Sequence, residues 1–114
     1  MDIDFLERFK SCVLEIETSG RDYAEKKAKS WQAQELKYAV LAEEMKKLPS
    51  DWPFNLRESN ARTSEGFRQY IKETSNAIKE ENIAKAIYEK ARANFEALRC
   101  LISLEKTTRQ IIHD

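Results

Sequence analysis

His113 is the single histidine of a 114-residue chain, and at the penultimate position it lacks the oriented partner that general acid–base work requires. Carboxylates are plentiful, with Glu43-Glu44, Glu73 and Glu80-Glu81. None forms the Glu-x-x-His pair of a di-iron bundle or the Asp-rich loop of a calcium site, so they read as solvated helix faces. Cys12 and Cys100 stand far apart with no CxxC or Cys/His spacing for zinc, which suits reduced thiols inside a cell. No G-x-S-x-G elbow and no Gly-rich phosphate loop occurs. The residue types therefore predict no enzyme, no metal and no cofactor.

Two other groups of residues could make contacts instead of chemistry. Lys85, Arg92, Arg99 and Lys106 recur every seven residues, a spacing that aligns them along one side of a helix where they could follow a phosphate backbone. Glu81, Glu89 and Glu96 lie three or four residues from these cations, within pairing reach on the same helix. The expectation is a solvated or salt-bridged edge, with nucleic-acid binding as the alternative. Lys plus Arg equals Asp plus Glu at 20 each, so no global field draws the chain toward nucleic acid or an acidic membrane. In Trp52-Pro53-Phe54, two aromatics flank a proline in a loop, placed either to anchor a partner or to plug a hairpin tip. Tyr23, Trp31, Tyr38, Tyr70, Tyr88 and Phe95 fall at helical spacing and are expected in a core rather than on a base-stacking platform.

Long helices must position these residues. Only two Gly and two Pro occur, 35% of residues are charged and 41% hydrophobic, which leaves little room for a many-turned β architecture. Ile3, Phe5, Leu6, Phe9, Cys12, Val13 and Ile16 predict a helix over about 3–18. Ser19-Gly20-Arg21-Asp22 resembles a capping box and predicts a stop, followed by a second helix over about 20–47 with Ala24, Ala28, Trp31, Tyr38, Ala42 and Met45 on its inner face. Lys46-Lys47 and then Pro49 end that helix, and a loop is expected over about 48–59. A third helix over about 60–112 carries a heptad-like stripe of Phe67, Tyr70, Thr74, Ala77, Glu81, Ala84, Tyr88, Ala91, Phe95, Leu98 and Ile102.

The fold expected is all-α: a long, coiled-coil-like antiparallel helical hairpin with an additional N-terminal helix, in a single domain over 1–114. A break near Glu80-Glu81-Asn82 would give a compact four-helix bundle instead. If the chain reverses at Gly20, Tyr88 to Ile112 needs a partner. If the first helix continues past Gly20, two arms of similar length pair, and Leu36 and Val40 face away from Trp31 toward solvent. Either layout predicts a homodimer or other homo-oligomer, with Leu36, Val40, Trp52 and Phe54 as the partner interface.

The stretch from Glu89 to Ser103, with Phe95-Glu96-Ala97-Leu98-Arg99 at its centre, resembles the C-terminal helix of small, all-helical bacteriophage and prophage proteins. From about Tyr23 onward the order of long helix, short connection and second long helix is similar to theirs. The resemblance implies an accessory role beside recombination or replication genes. A phage protein without chemistry of its own would also suit inhibition of a host defence enzyme. Cys100 stands where that pattern tends to have Ser, and the N-terminal helix is a further departure, so no functional residue is carried over. Met1-Asp2-Ile3-Asp4 opens without a basic segment and no apolar run reaches membrane-spanning length, so a cytoplasmic location and no membrane contact are expected.

Overall fold

Few residues in this chain oppose helix formation, and both prolines fall between 49 and 53, so the helices run long on either side of that point. The computed structural model describes residues 3–113. They form α1 (Ile3–Glu35), α2 (Lys37–Lys46), α3 (Phe54–Arg62) and α4 (Glu65–His113), with no strand among the described residues. The protein is all-α, a helical hairpin in which α1 and α4 run antiparallel. Two compact units divide the chain, one from residues 1–24 with 83–114 and the other from residues 25–82.

In the first unit, Phe9 packs on Phe95 with ring centroids 5.4 Å apart, and Tyr23 on Tyr88 at 5.9 Å. The partner number falls along α4 as it rises along α1, which fixes the antiparallel sense. The side chains that α1 withdraws from solvent here are Phe5, Phe9, Cys12, Ile16, Ser19 and Tyr23, at alternating steps of four and three, with Val13 and Gly20 beside them. Those of α4 are Ala84, Tyr88, Ala91, Phe95, Leu98, Ile102 and Glu105. Along α4 alanine alternates with an aromatic residue from Ala84 to Phe95, and the Tyr88 ring lies against Gly20 of α1.

In the second unit the same alternation continues through Lys26, Ser30 and Ala33 of α1 and Phe67, Tyr70, Thr74, Ala77 and Glu81 of α4. This part of the seam is polar. Ser30 is fully buried and accepts a hydrogen bond from Gln34 Nε2 at 3.1 Å, while the buried Thr74 hydroxyl has no partner. Apolar packing is concentrated instead where Leu41, Ala61 and Phe67 form a cluster joined by Val40, Met45, Leu48 and Tyr70. The Tyr70 hydroxyl donates to the Ala33 carbonyl, which also accepts the Leu36 N–H at 3.3 Å where α1 gives way to α2.

Several expectations are corrected. The predicted stop at Ser19-Gly20 does not occur: α1 passes straight through, and the Ser19 hydroxyl donates back to the Glu15 carbonyl at 2.5 Å instead of capping a new helix. Gly20 serves packing, since a Cβ there would lie 3.0 Å from Cε1 of Tyr88. Restarting the helical phase at that false stop misplaced the inner face of the next segment, where Trp31 and Tyr38 are 67% and 74% exposed and Ala24, Ala28 and Ala42 also face solvent. The break near Glu80-Glu81-Asn82 is absent, because Glu81 lies within the half-buried stripe of an unbroken α4, and with it goes the compact four-helix bundle. The predicted loop over 48–59 contains the start of α3, and the last helix begins at Glu65 rather than near residue 60.

Candidate interaction surface

At the tip, the Trp52 N–H donates to the Pro49 carbonyl at 3.2 Å, closing a turn, and extended Pro53 (φ −57°, ψ 149°) leads into α3. This splits the aromatic pair: Trp52 is half-buried and Phe54 is exposed. Leu36 is exposed where α1 ends, whereas Val40 packs against the Leu41, Ala61 and Phe67 cluster. The intramolecular cluster therefore takes up Val40, and the expected solvent-facing pair of Leu36 and Val40 reduces to Leu36.

Beneath the tip, Glu44 seats the start of α4. Its side chain is 11% exposed, Lys47 Nζ donates to Oε1 at 2.9 Å, and a Cβ on Gly66 would fall 1.9 Å from that oxygen. The missing side chain at Gly66 admits the carboxylate to the first turn of α4, where Ser64 Oγ accepts the Phe67 N–H at 3.2 Å. The hydrogen bond from Lys47, opposed by desolvation and aided by the Ser64 hydroxyl, holds Glu44 below its ordinary pKa of 4.5. This arrangement anchors the end of α2 to the start of α4. His113 closes α4, and its side chain lies outside the described residues.

The four cations of the basic edge, Lys85, Arg92, Arg99 and Lys106, are all exposed on α4. Their aromatic neighbours occupy part of that edge. The Arg92 guanidinium lies 5.7 Å from the Tyr88 ring centre and that of Arg99 6.0 Å from Phe95, and Arg99 Nη1 is 3.2 Å from Glu96 Oε1. Arg99 also borders a hollow of about 340 Å³ with Leu6, Phe9 and Ile102. Here the arginine stems cover the aromatic seam of the first unit.

A second line of exposed apolar residues on α4 has no counterpart in the sequence-based expectations. Ile83, Ile87, Lys90, Asn94, Ala97, Leu101 and Leu104 are all exposed and follow one another at alternating steps of four and three, with Ile111 farther along the same line. Each of the seven stands one residue before a member of the inward stripe, so they form a second stripe about 100° around the helix from it. The exposures of its Ile and Leu members run from 51% for Ile83 and Leu101 to 72% for Ile111. Between this stripe and α1 lies a groove of about 580 Å³ lined by Glu15, Thr18, Asp22, Ile87, Lys90 and Asn94. The sequence signal was present, in the same heptad count shifted by one residue.

No group of three or more His, Cys, Asp and Glu poised for a metal occurs among the described residues, and no described helix is long and apolar enough to cross a membrane. Neither a family model nor a curated protein nor a solved structure matches this chain.

Proposed function

We propose that this is a non-enzymatic helical interaction protein that self-associates and engages another protein through its surfaces. The observation carrying the proposal is the outward stripe of α4, where isoleucine and leucine stay half to three-quarters exposed at helical spacing while the inward seam of the second unit holds Lys26, Ser30, Thr74 and Glu81. Isolated apolar residues on a surface need no explanation, but Ile83, Ile87, Leu101, Leu104 and Ile111 recur along one line, interrupted by Lys90 and Asn94, and exposed apolar residues grouped in this way are a feature of interaction sites. The accessory role in DNA recombination or replication implied by the resemblance of residues 89–103 belongs to the same proposal, since it asks for contact surfaces and not for an active site.

Absolute mass by light scattering after size exclusion, with and without a short DNA duplex, tests the reading. The expected result is twice the 13.4 kDa chain mass, unchanged by DNA. A monomer at all accessible concentrations overturns it, and a monomer that shifts on DNA at low salt transfers the function to Lys85, Arg92, Arg99 and Lys106.

A further inference from the structure

The outward stripe of α4 is self-complementary when reversed. Turned about Asn94, the stripe sets Ile87 against Leu101 of a second copy, Ile83 against Leu104, and Lys90 against Ala97, and Asn94 meets its own equivalent. We infer that two copies of this chain pair antiparallel along α4 with the two-fold axis at Asn94. The inference rests on the self-association reading and specifies its surface.

Three features select this occupant and this register. A two-fold at Ala97 would set Lys90 on Leu104 and Asn94 on Leu101, burying polar groups against leucine, whereas the axis at Asn94 lets the two amides hydrogen-bond each other and lets Lys90 reach past a small residue. The only charge within the seven-residue stripe is Lys90, which shares its groove with Glu15 and Asp22 of α1 in the same chain. In this register each Lys90 faces Ala97 of the other copy and not the other Lys90, so the two surfaces approach without a direct like-charge pair. Size agrees as well. Ile83, Ile87, Leu101 and Leu104 each offer on the order of 100 Å². Together these four supply about half of the roughly 800 Å² per partner of a stable dimer, and the Lys90 stem, Asn94, Ala97 and the α1 side of the groove add to them.

The test exchanges charge across the axis. Ile87→Lys and Leu101→Glu, each alone, are expected to weaken the dimer at least tenfold by sedimentation or light scattering, with helicity unchanged because both side chains are exposed. Combined in one chain, they are expected to restore it, since each introduced ammonium then faces an introduced carboxylate on the other copy. The two positions are fourteen residues apart on one helix, beyond contact within a chain, so rescue reports on the pairing of copies. As a second measure, Asn94→Cys in a Cys12→Ser, Cys100→Ser background is expected to give a covalent dimer when oxidised glutathione takes the electrons of the two thiols. A wild-type dimer that both single variants leave intact, with no crosslink from Asn94→Cys, overturns this surface while self-association stands. A wild-type monomer overturns both.

Discussion

Glu44 shows how one side chain ties separate elements together. Lys47 pairs with its carboxylate, and Gly66 leaves room for it at the start of α4. Its lowered pKa means the native state holds this carboxylate charged more readily than the unfolded chain does. The stabilisation is fully present above the ordinary value of 4.5 and is lost as pH falls through the lower native value. Glu44→Gln is therefore expected to lower the urea midpoint at neutral pH, and the difference from wild type to close below that value. A gap that stays constant with pH would remove the electrostatic role. Thr74 makes the opposite case, as a buried hydroxyl with no partner. Thr74→Val keeps the shape and removes the unmet polar atom, so it is expected to raise stability by about 1 kcal/mol in chemical denaturation.

At the scale of elements, α1 is defined by what happens at Ser19-Gly20. A capping motif and an interior helical turn use the same residues, and the choice depends on where the hydroxyl finds its acceptor. Here Ser19 bonds the preceding turn and Gly20 accommodates the Tyr88 ring, so the stripe of α1 continues unbroken into Tyr23, Lys26 and Ser30. Arg21→Pro separates the two readings, because Arg21 is exposed and only its backbone is at stake. At the first position of a new helix proline is tolerated, but inside a continuous one it costs about 3 kcal/mol or more. The expected outcome is the large loss, read as a drop in melting temperature. The same continuity gives α4 its two stripes, one facing α1 and one left open.

Over the whole molecule, charges of 20 and 20 cancel, and the two units differ in what they leave uncovered. The unit of residues 25–82 closes an apolar cluster around Leu41, Ala61 and Phe67, and the unit of residues 1–24 and 83–114 carries the open stripe. Association through that stripe is apolar, so the dimer mass is expected to hold from low to high salt. Binding of a phosphate backbone by the basic edge would fall steeply over the same range, since each neutralised phosphate releases counterions. A dimer that dissociates on adding salt would point to ion pairs as its cement.

The sequence by itself determined the helical class and the inward face of α4, from Phe67 through Ile102. A stretch without proline can keep a single helical phase, and apolar and small residues at steps of three and four mark that phase directly. It did not determine the fate of Gly20, the burial of Val40, the seat of Glu44 at Gly66 or the short α3. Each of these depends on a neighbour distant in sequence: the Tyr88 ring, the Phe67 cluster, or the first turn of α4. Local propensity near Gly20 or Pro53 is worth about 1 kcal/mol or less per ordinary residue, and packing against such neighbours outweighs it. The tertiary structure alone decided which of the two stripes on α4 the chain covers for itself and which it leaves exposed, because burial depends on where α1 packs.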